Sequence, residues 1–207
     1  MRPGVVFFVL PLVGGACHRD RPAPTSKLEV LEVDDEDHPL LAAWGTTPSP
    51  VTVEVENLPL RTEYAFCPGQ KDDEIRHAVS SATPPKGTHF AFGRGESSSG
   101  IEGTRSWLVR DEPILEQRNV TSARAQFDDV SNRWAVWVTL DRAGAEAFER
   151  FTAAHVNHRI AITVDGVVHS APIVRTKIAG GKIQITYGGA ADEEQGAKEL
   201  ARALGGS

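Results

Sequence analysis

Cysteine is nearly missing from this 207-residue sequence, which holds Cys17 and Cys67 alone, with one methionine and 7% aromatic residues. Two cysteines leave one possible bridge, so several disulfides cannot staple the fold. Long hydrophobic runs are scarce too. The apolar stretch from Val5 to Val13 falls short of the roughly 20 residues that cross a bilayer as a helix, and no later segment approaches that length. Excess positive charge is absent: the formal net charge is −6, and such a chain repels phosphate backbones, which argues against nucleic acid as a partner. No Ser-His-Asp or Cys-His spacing is recognisable, and no acidic run has the ligand spacing and turn glycine of an EF-hand loop. The expectation is a protein without catalytic residues, cofactor or metal.

What is present begins with an export signal. Met1 and Arg2 lead into the Val5–Val13 stretch, which stops at Gly14-Gly15-Ala16-Cys17. A positive start, a short apolar run and small residues predict a cleaved signal peptide over residues 1–16. Small residues ahead of a cysteine resemble the cleavage box of bacterial lipoproteins. That resemblance implies a lipid on Cys17 and attachment to a membrane on the periplasmic side of the cell envelope. Gly14 stands where that box usually has leucine, and the same residues suit ordinary signal peptidase, which would leave a soluble secreted form. With a lipid on Cys17, Cys67 is a lone thiol; without it, the two could pair. Cys67 lies in Ala65-Phe66-Cys67-Pro68-Gly69, a turn after apolar residues with no base beside it, and reads as a structural thiol. Residues 17–27 are polar and proline-containing, a lipid-anchored tether.

The acidic excess lies in the first half. Residues 1–103 hold 9 Lys plus Arg against 15 Asp plus Glu, whereas residues 104–207 hold 13 of each, a contrast that suggests a boundary. Residues 28–92 read as a small β-rich region. Leu28 to Val33 and Val51 to Glu56 are strand-like, and Asp73 to Ser81 suits a short helix. The Asp34-Asp35-Glu36-Asp37-His38 run reads as a solvated loop. Gly93 to Gly103, rich in glycine and serine, reads as a flexible loop with no strand-turn-helix context for phosphate binding.

From Thr104 onward the pattern sharpens. Trp134, Val136, Val138 and Leu140 alternate along a strand, and Asp141 can cap a helix to about Asn157 with Phe148, Phe151, Thr152 and His155 on one stripe. Ile160, Ile162 and Val164 mark the core side of a second strand, and Asp165-Gly166 suits a tight hairpin turn. Ile183, Ile185 and Tyr187 mark a third. A last helix begins near Asp192, where Gln195 completes a capping-box-like pair, places Ala197, Leu200, Ala201 and Leu204 on one stripe and stops at Gly205. These amphipathic elements predict an α+β fold with two helices packed on one face of a mainly antiparallel sheet.

The run from about Thr104 to Leu204 closely resembles the periplasmic head subdomain of SecD, a subunit of the bacterial protein-export machinery. The resemblance rests on Leu140 to Phe148, Arg159 to Gly166, Ser170-Ala171-Pro172-Ile173 and Ile178 to Thr186. Asn157-His158 replaces the usual glycine before the Ala-Ile strand, and Gly188-Gly189-Ala190-Ala191 replaces a Gly-Phe-Thr segment before the last helix. The resemblance implies the SecD-head fold, with exported polypeptides or Sec translocase subunits as partners. With no later segment of membrane-spanning length, the expectation is work without the proton-coupled transmembrane motor of SecD itself.

Candidate binding residues follow from strand alternation. Trp137, Thr139, Thr163, Asp165, Gln184 and Thr186 are expected on one polar sheet face opposite the helices. Such a face could pack against the N-terminal region, or hold an extended polypeptide by backbone pairing and a tryptophan contact. An enzymatic alternative rests on His155, His158 and His169 with Asp165. His155 falls on the apolar stripe and Asp165 is explained by the turn, so no metal or catalytic role is assigned to them. A further alternative is an envelope lipoprotein acting as an interaction module unrelated to export.

Overall fold

A computed structural model describes residues 26–43, 50–57, 59–69, 71–129, 132–186 and 193–205. The expected export signal, Cys17, most of the expected tether, Tyr187 and Asp192 lie outside the described residues.

Two N-terminal strands form where the sequence places them, β1, Leu28–Glu32, and β2, Thr52–Glu56, and a third that it did not reveal, β3, spans Thr62–Pro68. A short helix α1, Pro39–Ala43, lies between the first two, and α2, Asp72–Val79, follows the third. The segment expected as a Gly/Ser loop is instead a hairpin of β4, Thr88–Glu96, and β5, Glu102–Arg110, turning over Ser97 to Ile101. Its glycines serve close packing. A Cβ on Gly93 would sit 2.0 Å from the Val168 carbonyl oxygen, so composition that reads as flexible is a steric requirement of strand pairing.

Beyond β5 come β6, Leu115–Glu116, then β7, Val120–Asp128, and β8, Arg133–Leu140. Helix α3, Arg142–Ala154, starts where expected, with the Asp141 carboxylate accepting from the Gly144 N–H at 2.7 Å. Strands β9, Ile160–Val164, and β10, Val167–Ser170, join at Asp165-Gly166, whose φ values of 51° and 78° suit a two-residue hairpin. Strand β11, Lys182–Thr186, and helix α4, Glu193–Ala203, complete the described elements.

The single sheet expected in the second half is two sheets. Among the described residues, one has the order β2-β3-β5-β4-β10-β9-β1-β6 and the other β11-β8-β7. The expected boundary at residue 104 therefore falls inside a strand, and β1 pairs along its whole length with β9. The larger sheet curls on itself: Val33 bridges Val109, and the Asp34 N–H donates to the Leu108 carbonyl at 2.9 Å, so β1 returns to β5. Leu31, Val33, Trp107, Val109, Ala161 and Val168 fill the enclosed core.

A second core joins the two sheets. Val30 of β1 and Ile160 and Ile162 of β9 meet Val136 and Val138 of β8, Phe148 of α3, Leu200 of α4 and Leu204 just beyond it. Phe148 and Leu204 are each 1% exposed, a burial worth about 2–3 kcal/mol per side chain. A third core packs α2 against β3 and β4 through Ile75, Val79 and Phe92. Cys67 belongs there, buried within a strand rather than in the expected turn; burial foremost, then the Glu74 carboxylate, pushes its thiol pKa up. The acidic run is likewise not wholly solvated. Asp34 is buried, accepts from the Glu36 and Asp37 N–H groups at 3.0 Å each, and lies 3.1 Å from Arg110 Nη2.

Candidate functional site

The three-stranded sheet presents one side to the core and, among the described residues, leaves the other open. On β8, Val136 and Val138 point inward, which turns Trp137 and Thr139 outward. Register then builds the open face: Trp137 lies between Arg124 of β7 and Gln184 of β11, and Thr139 between Ser122 and Lys182. Ser122, Arg124, Lys182 and Gln184 are exposed, while Trp137 and Thr139 are half-buried among them. The Gln184 amide donates to Asp128 Oδ2 at 3.0 Å, which ties β11 to β7 across the strand between them. Trp137 Nε1 is shielded and has no hydrogen-bond partner among the described residues. An orphaned donor of this kind costs about 1–3 kcal/mol.

Four of the six residues expected on one face therefore share a sheet: Trp137, Thr139 and Gln184, with Thr186 in register with Ala135 although its side chain lies outside what is described. Thr163 does not join them. It sits in β9 of the larger sheet, 1% exposed, and its hydroxyl donates to the Glu29 carbonyl at 3.3 Å. Strand alternation was right within β9, but both faces of that strand are covered. Asp165 is held in its turn, accepting from the Lys27 N–H at 2.8 Å. Arg124 and Ser122 were missed, although Ser122-Ala123-Arg124-Ala125-Gln126-Phe127 alternates polar and apolar residues and could have revealed them.

The histidines form a different constellation. The His155 ring stacks on Phe151 with centroids 4.1 Å apart and lies edge-on to His158 at 5.4 Å. His155 Nε2 is 3.7 Å from Glu32, and His158 Nδ1 is 3.9 Å from Asp35. Among the described residues no three His, Cys, Asp or Glu side chains converge as a metal-holding group. A second polar cluster went unnoticed in the sequence. Glu56 Oε2 receives Arg105 Nη2 at 2.6 Å and Arg159 Nη2 at 3.1 Å, joining β2, β5 and the approach to β9.

A model of the family described as SecDF, P1 head subdomain, matches residues 95–207, more than half of the chain. The chain belongs to the SecDF P1 head family. Among relatives of this P1 head, the protein translocase subunit SecD of Syntrophobacter fumaroxidans is 34% identical over 127 residues, covering 61% of this chain and 23% of that protein. The SecD subunit of Calditerrivibrio nitroreducens is 26% identical over 177 residues, covering 84% of this chain and 33% of that protein. The chain thus spans a third or less of the length of these relatives. A solved structure of a membrane component SecDF that enhances protein export is similar with a TM-score of 0.40 and 21% identity, over 86% of this chain and 92% of that one. The P1 head match begins at residue 95, inside the β4–β5 hairpin, earlier than the resemblance at Thr104 suggested. Among the described residues no helix is long and apolar enough to cross a membrane.

Proposed function

We propose that this P1 head protein acts in protein export as a periplasmic-side accessory that binds polypeptide, or a Sec translocase subunit, on the open face of the β7-β8-β11 sheet. The observation that carries the reading is Trp137, half-buried at the centre of that face with Arg124 and Gln184 on either side. A sheet face with one aromatic anchor and a surround of side chains able to give and accept hydrogen bonds suits recognition that tolerates many sequences. Relatives named as protein translocase subunits support the setting. In this reading the chain contributes binding without catalysis, a lipid on Cys17 holds it to the membrane, and proton-coupled work falls to a membrane partner.

The test is photocrosslinking in cells from probes placed at Trp137 and at Gln184, with the captured partners identified by mass spectrometry. Many exported polypeptides, or translocase subunits, are expected. Capture of one stable envelope protein unrelated to export, or of nothing but residues 28–92 of the same chain, would overturn the reading. Trp137→Ala should weaken binding of an unfolded polypeptide by about 2 kcal/mol, as loss of a central aromatic anchor does.

A further inference from the structure

We propose that β7 is a strand-addition edge for an extended polypeptide in which apolar and acidic residues alternate. This rests on the polypeptide-binding reading above and names where, and with what chemistry, the bound chain pairs. Among the described residues the two sheets end in four edge strands, β2 and β6 of the larger and β7 and β11 of the smaller. Edge strands expose unpaired N–H and C=O groups, and proteins commonly blunt them by shortness, charge or proline.

Three edges are blunted. Strand β6 has two residues. Strand β2 has five and carries Glu54 and Glu56; Glu54 is engaged by the Ser98 N–H and the Tyr64 hydroxyl. Strand β11 also has five and opens with Lys182.

Strand β7 is different. It has nine residues, nearly twice the length of β2 or β11, with no proline or glycine; it carries Arg124 and Asp128 and pairs with β8 on one side. Among the described residues no backbone partner lies on its other side. Its register shift, between Val120 and Ser122, leaves the stretch from Ser122 to Asp128 regular. Ser122, Arg124, Gln126 and Phe127 are exposed along that stretch.

The side chains flanking this edge set the preferred occupant. Arg124 lies on the open face and has no carboxylate partner among the described residues, so an acidic residue beside it in an added strand gains an ion pair. On the opposite side Phe127 is 39% exposed and meets Trp134 edge-on at 6.0 Å, an apolar step for the alternate residues. A strand has a side-chain period of two, so one segment satisfies both sides when apolar and acidic residues alternate. Backbone pairing supplies affinity, and the alternation supplies preference.

The experiment titrates the full chain with fluorescent peptides of about ten residues, enough to cover the strand. One alternates Val and Glu, one alternates Val and Lys, and a third is the Val–Glu peptide N-methylated on every second amide along one edge. A reduced, permanently unfolded polypeptide is titrated in parallel. The Val–Glu peptide is expected to bind, N-methylation to weaken it about tenfold or more through lost backbone hydrogen bonds, and Arg124→Glu to reverse the preference toward Val–Lys.

Equal binding of the methylated peptide overturns the edge while leaving the polypeptide-binding reading intact. The same holds if the unfolded polypeptide binds and the Val–Glu peptide does not, or if Arg124→Glu leaves the preference unchanged. Failure of both the unfolded polypeptide and every peptide removes the underlying reading. Sedimentation of the free chain as a dimer that Gln126→Pro dissociates would assign the edge to a second copy and also overturn the proposal.

Discussion

Glu56→Gln is the perturbation that most directly probes how the two halves of the chain are joined. The Arg105 and Arg159 side chains converge on one Glu56 oxygen and are 8% and 14% exposed. Arg105 is further enclosed by the Tyr64 ring, 3.5 Å from its centroid, and Arg159 donates through Nη1 to the Ala171 carbonyl at 2.7 Å. Burial pulls the Arg159 pKa down and Glu56 opposes that, so the carboxylate offsets part of the cost of enclosing that guanidinium. Glutamine keeps the shape and removes the charge. Breaking a buried ion pair costs about 3–5 kcal/mol, but Glu56 is itself 36% exposed and water screens part of the loss, which brings the expectation to about 2–3 kcal/mol. With a urea m-value of about 2 kcal/mol/M, the unfolding midpoint should fall by about 1–1.5 M. Tryptophan fluorescence reports it, since Trp107 is buried beside Arg105. A midpoint shift below about 0.25 M would refute the reasoning. So would strict additivity with Arg159→Leu in a double-mutant cycle, because residues sharing an ion pair must couple.

Two further outcomes follow from the same physical reasoning. Gly93→Ala should cost about 3 kcal/mol or more, because its new Cβ and the Val168 carbonyl are both held by the parallel pairing of β4 with β10; a melting temperature within about 2 °C of the parent would contradict this. Burial lowers the His169 pKa below its ordinary 6.5, with Asp165 partly opposing. The unfolded chain therefore binds the proton more readily, so this contribution is present above pH 6.5 and is lost as pH falls through the lower folded value. His169→Gln should flatten the decline in stability below pH 6.5, and an unchanged slope in urea titrations across that range would count against it.

Much of the second half could be read in advance because its signals are local. The Asp141 cap, the Phe148–Thr152 stripe and the Asp165-Gly166 turn each depend on residues within a few positions of one another, and each formed. The family resemblance drew on the same stretch. The hairpin of β4 and β5 was misread because Gly93, Gly95 and Gly103 carry no local strand preference. What requires them is contact: Cβ atoms at Gly93 and Gly103 would meet backbone oxygens of β10 and β3. Arg105 and Arg159 were unreadable for a related reason, since each is an ordinary surface charge until Glu56 is brought between them.

The candidate face divides in the same way. Sequence alone determined that Trp137 and Thr139 share one side of a strand and that Thr163 shares a side with Ala161, because a pleat of period two allows nothing else. Only the tertiary structure decided that the first pair faces outward in a three-stranded sheet while Thr163 is buried against β1, a strand from the far end of the chain. Alternation specifies which residues travel together. Which strand pairs with which is settled by burying several apolar faces at once, a sum over distant segments that no single stretch of sequence contains.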